Sequence, residues 1–247
     1  MRVSDDVLAV LSVAELEGQS LRLTGQLDRS MYTKVNKVIE AAGGKWDRKA
    51  KAHLFDRPAS DRVEEIILTG DVEVPKDEFN YFPSPPDVVA RLMELADVRE
   101  GMQVFEPSAG RGAIASKCVE AGADVDCCEL MDANFEHLSD AEAYRTVWHA
   151  DFLQLPAVSD YDRVVMNPPF AKQQDIKHVL HALKFLKPDG LLVSVMASSV
   201  TFRDNKLTQD FRDLIRERGG EIEALPEAAF KSSGTMVRTV ICRIPGA

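Results

Sequence analysis

Residues 162–170 read Asp-Arg-Val-Val-Met-Asn-Pro-Pro-Phe, a short apolar run that stops on an asparagine, two prolines and an aromatic ring. Proline lacks a backbone N–H and holds the residue before it out of the helical region, so neither a helix nor a strand can continue through this point. The run predicts a buried parallel strand that ends here and leaves Asn167 at its carboxyl edge. In open α/β sheets that edge is where ligands bind.

The side-chain oxygen of Asn167 and the carbonyl of Pro168, made rigid by Pro169, are two acceptors at a fixed spacing. Such a pair fits the two hydrogens of an exocyclic or amide NH2. A planar conjugated amine is a poor nucleophile because its lone pair is delocalised. Two acceptors draw the nitrogen toward tetrahedral geometry and localise that pair for attack on a methyl donor. Phe170 offers a flat apolar face to the ring that carries the amine. An Asx-Pro turn with a packed phenylalanine is the plainer alternative.

Apolar runs and helical periodicity alternate on both sides of this strand. Val88, Val89, Leu92, Met93 and Leu95 mark a helix after Pro85-Pro86, and Gln103–Glu106 reads as a strand. A helix is expected from about Gln173 to Leu186, stopped by Pro188-Asp189-Gly190. Leu191–Ala197 is a continuous apolar run suited to a central strand, and Leu207–Arg218 is amphipathic. Strands at 221–225 and 237–244 flank a loop at 226–236. The pattern is that of a mostly parallel α/β sheet finished by an antiparallel hairpin.

The strand at 103–106 runs into Pro107-Ser108-Ala109-Gly110-Arg111-Gly112, a glycine turn opening a helix. Gly110 and Gly112 let the backbone approach a ligand closely. The turn has no third glycine of the dinucleotide pattern, and Glu106 brings negative charge that suits a cationic ligand better than a pyrophosphate. The next strand ends on Glu129, about 17 residues past Gly112, where a carboxylate accepts from ribose hydroxyls. A third strand, Thr146–Ala150, closes on Asp151 and Phe152, an acceptor for an adenine amine and a ring to pack on it. S-adenosylmethionine satisfies all of these. A structural role for Glu129 is the alternative.

Residues 1–78 read as a small α+β module and residues 79–247 as the catalytic domain. In the first, Asp28 caps a helical pattern through Met31, Val35, Val38 and Ile39. Lys45-Trp46-Asp47 and His53-Leu54-Phe55 flank the basic turn Arg48-Lys49-Ala50-Lys51. Cations interleaved with an aromatic are what contact with a phosphate backbone needs, and a solvated hairpin is the alternative. The formal net charge of −10 weighs against a protein that coats nucleic acid nonspecifically.

The cysteines, Cys118, Cys127, Cys128 and Cys242, lack ligand spacing and read as reduced core thiols, and no metal is expected. His178 and His181 are expected on the polar face of their helix. No run approaches the roughly 18 apolar residues of a membrane span, and the first residues lack a signal-peptide profile, so a cytoplasmic protein is expected.

Together these motifs resemble the class I S-adenosylmethionine-dependent methyltransferases, and within them the DNA adenine-N6 methyltransferases of phage or mobile-element type. The resemblance implies a Rossmann-like sheet over residues 79–244. Cofactor contacts are then implied from Glu106, Pro107, Ser108, Ala109, Gly110, Gly112, Glu129, Leu130, Asp151, Phe152 and Asn167. It also implies that Tyr81-Phe82-Pro83-Ser84 closes over the cofactor, that Asn167-Pro168-Pro169-Phe170 is catalytic, and that Phe230 is a second aromatic against the flipped base. Lys45, Arg48, Lys49 and Lys51 are the expected substrate contacts outside the domain.

The expected activity is methyl transfer to adenine N6 in DNA, with the base flipped out of the stack. Methylation of a ribosomal RNA base or a protein glutamine, and an inactive cofactor- and nucleic-acid-binding module, remain as alternatives. Methyltransferases of this motif order usually append a target-recognition domain after the last strand. None follows Pro245-Gly246-Ala247 here, so relaxed sequence specificity is expected.

Overall fold

The computed structural model describes residues 1–55, 58–72, 83–233 and 235–246. It divides into two compact units: Met1–Glu78 with Ser198–Asp210, and Phe79–Ala197 with Phe211–Ala247.

The first unit contains α1 (Asp5–Ser12), β1 (Glu15–Glu17), β2 (Ser20–Arg22), α2 (Arg29–Ala41), β3 (Lys45–Asp47), β4 (Ala52–Leu54) and α3 (Ala59–Thr69). Its strands pair antiparallel in the order β1-β2-β4-β3. The helices bury Leu8, Leu11, Val35, Ile39, Val63 and Ile66 with Leu21 of the sheet and Phe55. Asp28 caps α2 by accepting from the Met31 N–H at 2.8 Å. Gly70, at φ +67, ends α3 in the left-handed conformation that glycine adopts without a Cβ clash.

Phe202 packs against this core, and Arg203 pairs with Glu64 at 3.0 Å, both side chains nearly buried. Residues 198–210 therefore complete the amino-terminal unit, an arrangement that a linear reading of the chain does not show.

The second unit opens with α4 (Pro86–Ala96). It continues through β5 (Gln103–Glu106), α5 (Ala115–Glu120), β6 (Asp124–Glu129), α6 (Asp132–Asp140), β7 (Thr146–His149) and β8 (Tyr161–Met166). Then come α7 (Gln174–Ala182), β9 (Leu186–Ala197), α8 (Lys206–Glu217, entered from the first unit), β10 (Glu221–Ala224) and β11 (Thr239–Pro245). The seven strands lie in the order β10-β11-β9-β8-β5-β6-β7. β9, β8, β5, β6 and β7 run parallel, and β11 is antiparallel to both its neighbours. This is the Rossmann-like sheet expected. Its central strands are apolar on both faces because helices cover both, with Phe105, Val164, Val165, Met166, Val193 and Met196 fully buried.

Two local expectations need correction. The helix expected to reach Leu186 stops at Ala182 and passes through a single 3-10 turn at Leu183–Phe185. Leu186 already pairs with Tyr161, and a register shift carries Pro188-Asp189-Gly190 as an irregularity before Leu191 pairs with Arg163. His178, expected on a polar face, is 7% exposed, with Nδ1 2.8 Å from the Gln174 carbonyl. Burial holds its pKa below the ordinary histidine value. All four cysteines are free and buried, and burial pushes the Cys128 thiol up to about 12.

Among the described residues no helix is long and apolar enough to cross a membrane.

Candidate active site

Strand order reverses at β5, since β6 and β7 extend the sheet on one side and β8 and β9 on the other. The carboxyl ends of β5 and β8 therefore open the crevice where α/β sheets bind ligands. Glu106 ends β5, and Asn167 follows the last residue of β8.

The glycine turn is pinned to the sheet by its own backbone. The Ala109 N–H donates to the Cys128 carbonyl at 3.0 Å, and the Gly110 N–H donates to Glu129 Oε2 at 2.7 Å. Glu129 Oε1 accepts from the Leu130 and Met131 N–H groups at 2.9 and 2.8 Å. The carboxylate at the end of β6 is thus fixed by three main-chain donors, and it stays 8% exposed. Leu130 beside it is 63% exposed, an apolar surface next to an acceptor.

Gly110 and Gly112 both have positive φ, +55 and +77. At Gly112 a Cβ would run into Tyr144 Oη and lie 3.0 Å from Leu138 Cδ2, so this glycine makes room for the protein's own side chains.

Glu106 is 2% exposed and accepts from the Ala115 N–H, the first residue of α5, at 2.7 Å. Burial pushes its carboxyl well above the ordinary carboxylate range. The Ala115 hydrogen bond opposes this, and the charge of Glu129 adds to it.

Asp151 follows β7, is exposed, and accepts from the Leu153 N–H at 3.0 Å. Phe152 is 3% exposed, and its ring sits among Phe105, Phe185, His178 and His181 with centroids 4.8–5.7 Å away.

After β8 the backbone turns on Pro168 and Pro169. Asn167 Nδ2 donates to Ser84 Oγ at 3.0 Å, which orients the amide with its oxygen directed away from Ser84. Phe170, 6% exposed, meets Phe230, fully buried, edge to face at 6.4 Å and 87°. The loop that carries Phe230 is tied back by Ser233 Oγ, which donates to the Pro83 carbonyl at 2.6 Å. Ser84, Asn167, Phe170 and Phe230, scattered in sequence, thus form one connected group. Tyr81 and Phe82 lie outside the described residues.

Two features escaped the sequence reading. Asp175, 3% exposed, accepts from the Ile176 N–H and from the Ala197 N–H, both at 3.0 Å, tying the first turn of α7 to the end of β9. Between Phe170 and that turn, Lys172 and Gln173 both have left-handed backbone, φ +55 and +57. An acidic residue in a first helical turn was a visible signal for the first. Nothing in the sequence marks the second.

In the amino-terminal unit, Lys45, Arg48, Lys49 and Lys51 are all exposed around the β3–β4 turn. Asp47 accepts from the Lys49 and Ala50 N–H groups, each at 2.8 Å, and so shapes that turn. Among the described residues no three His, Cys, Asp or Glu side chains are grouped to hold a metal ion.

The methyltransferase small domain family matches residues 89–217, just over half of the chain. No curated protein matches the sequence. Among solved structures, the chain is similar to a modification subunit of a putative type I restriction enzyme from Vibrio vulnificus YJ016. The identity is 14% and the TM-score 0.58, over 67% of this chain and 44% of that one. It is similar to a dimethyladenosine transferase from Plasmodium falciparum at 14% identity and TM-score 0.51, over 68% and 64%. A putative RNA methyltransferase from Pyrococcus horikoshii gives 20% identity and TM-score 0.52, over 71% and 91%. These likenesses are of fold. The chain spans less than half of the Vibrio subunit and under two thirds of the Plasmodium enzyme.

Proposed function

We propose that this chain, which belongs to the methyltransferase small domain family and so to the class I S-adenosylmethionine-dependent methyltransferases, methylates the exocyclic N6 amine of adenine in DNA. The observation that carries this reading is Asn167, set at the carboxyl end of β8 with its amide oriented by Ser84 and followed by Pro168-Pro169-Phe170.

The residues of the crevice fit the cofactor. Glu129, held by three N–H donors, keeps lone pairs for ribose hydroxyls, and exposed Leu130 beside it suits the face of a purine. Asp151 offers an acceptor for the adenine amine. Glu106, whose buried carboxyl favours the protonated form when no ligand is bound, would ionise to pair with a cationic amino group. We assign Pro107, Ser108, Ala109 and Gly110 to the cofactor's approach, with Pro83 and Ser84 on the side of Asn167, to which Ser84 is bonded. When bound, S-adenosylmethionine supplies an electrophilic methyl group on a sulfonium.

The chain's own contribution is to prepare the amine. Asn167 Oδ1 and the Pro168 carbonyl accept its two hydrogens, weaken its conjugation with the ring and hold it in line. These contacts strengthen as the nitrogen becomes tetrahedral and positive, so they act mainly in the transition state. One amine proton then leaves toward solvent, and no strong base is needed. Phe170 stacks on the base, and Phe230 supports Phe170 edge-on. A base cannot reach this crevice from within a duplex, so it is flipped out. Lys45, Arg48, Lys49 and Lys51 contribute phosphate contacts.

The test is transfer of tritiated methyl from labelled S-adenosylmethionine to DNA, RNA and protein pools, followed by nucleoside analysis. Label recovered as N6-methyladenine from DNA supports the reading. Label confined to RNA or to protein glutamine overturns it.

A further inference from the structure

We infer that the β3–β4 hairpin of the amino-terminal unit is a binding site for unpaired nucleic acid, with Trp46 as a base-stacking platform and Lys45, Arg48, Lys49 and Lys51 as phosphate contacts. This deepens the proposed function, and rests on it for the choice of nucleic acid as partner.

The first observation is Trp46. It lies on β3, an edge strand of the sheet, and is 52% exposed, the most exposed Trp, Tyr or Phe among the described residues. Its register partner is His53 of β4, and the two rings meet edge to face at 5.1 Å and 62°. His53 is itself fixed: it is 1% exposed, and its Nε2 lies 2.8 Å from Asn36 Oδ1 of α2. The indole is therefore held in place from one side and presented to solvent on the other. A ring ordered before binding loses little conformational freedom when a base stacks on it.

The second observation is charge. The whole chain carries −10, yet the described part of this hairpin exposes four cations. Its single carboxylate, Asp47, is engaged by two main-chain N–H groups of the turn. Lys51 adopts left-handed backbone, φ +50, at the end of the turn. The hairpin thus brings an aromatic face and a cluster of cations together on one edge.

Stacking decides between single and double strands. An indole face pairs with the π-face of any unpaired base, whereas duplex bases are covered by their neighbours. Cations alone would favour the duplex, which has the higher charge density. An exposed, pre-fixed tryptophan among cations therefore fits unpaired strand.

The experiment uses the full chain carrying Trp148→Phe, which leaves Trp46 as the only tryptophan. A mixed-sequence single-stranded oligodeoxynucleotide is expected to quench Trp46 emission on binding. Trp46→Ala in the parent chain should weaken single-strand affinity by about tenfold or more and duplex affinity less. Trp46→Phe should recover part of the loss. The triple variant Arg48→Ala/Lys49→Ala/Lys51→Ala should flatten the log–log salt dependence of single-strand binding by about 2. Unchanged emission, or equal losses on single strand and duplex, would overturn the inference. Failure of methyl transfer to any nucleic acid, with quenching intact, would instead overturn the proposed function and leave this site standing.

Discussion

Asn167 Nδ2 donates to Ser84 Oγ at 3.0 Å, across 83 residues of sequence. A serine from the approach to α4 thereby sets the orientation of the amide that would receive the substrate amine. Asn167→Ala should lower kcat by about 10²-fold or more with cofactor affinity nearly intact, the scale of one lost preorganised polar contact. Ser84→Ala leaves the amide in place but unoriented, so a smaller loss in kcat is expected. Near-parental turnover in the folded Asn167→Ala variant would remove the mechanism.

Glu129 joins three main-chain N–H groups to the proposed ribose site. Glu129→Ala strands those donors and removes the acceptor, so calorimetric affinity for S-adenosylmethionine should fall at least about tenfold, the cost of a charged hydrogen bond. The melting temperature should fall with it. Gly110→Val should weaken binding as well, because a β-branched residue strains at φ +55. An unchanged Kd for a folded Glu129→Ala variant would withdraw the assignment.

Glu106 makes a pH prediction whose sign follows from its raised pKa. Between the ordinary glutamate value and the raised folded value, the native protein holds a proton that the unfolded chain has released. Stability from this group is fully present below the unfolded value and is lost as pH rises through the folded one. The ligand-free Glu106→Gln variant should therefore gain in melting temperature relative to the parent as pH is raised from about 4 to 8. Parental affinity for S-adenosylmethionine should improve over the same range, since a cationic amino group favours ionised Glu106. Parallel melting curves for the two proteins would contradict the protonated carboxyl.

Lys172 and Gln173 place two left-handed, non-glycine residues one position beyond Phe170, after Ala171. Each such residue costs roughly 1 kcal/mol or more. Gln173→Gly should relieve part of this and raise stability in urea by up to about 1 kcal/mol, while a looser segment behind Phe170 lowers kcat several-fold. Loss of stability would show that the side chain's own contacts outweigh the strain.

Sequence selectivity should be relaxed. Reading base edges takes an element in the major groove with several side chains on it. The described connection after β8 is the single helix α7 between short 3-10 turns, and the connection after β9 passes through Ser198–Asp210 of the amino-terminal unit into α8. Long-read sequencing of DNA from cells expressing the protein should show modified adenines in many contexts. One modified motif of about four or more base pairs would sink the idea and point to the amino-terminal unit as its reader.

The parallel sheet was legible because its central strands are apolar on both faces and its strands end on punctuation: Glu106-Pro107, Glu129, Asp151 and Asn167-Pro168. What the sequence hid depends on contacts between distant residues. The helical spacing of Leu183 and Leu186 continues past Ala182, yet Leu186 is taken by pairing with Tyr161. Gly112 suggests a ligand, but Tyr144 and Leu138 fill the space beside it. Short α1 and β1 were not anticipated, because eight and three residues give too little periodicity to read.

Ser198–Asp210 belongs to the unit that begins at Met1, and the Arg203–Glu64 pair spans 139 residues. During synthesis the amino-terminal unit therefore waits for its last segment until β5 through β9 have left the ribosome. Until then its core lacks Phe202, and Glu64 lacks the Arg203 guanidinium. A unit that opens before β5 is thus closed only after β9, and loop closure over that length favours slow, late assembly. A nascent chain halted before residue 198 would hold an incomplete first unit and be a better substrate for chaperones and proteases than one halted after residue 210.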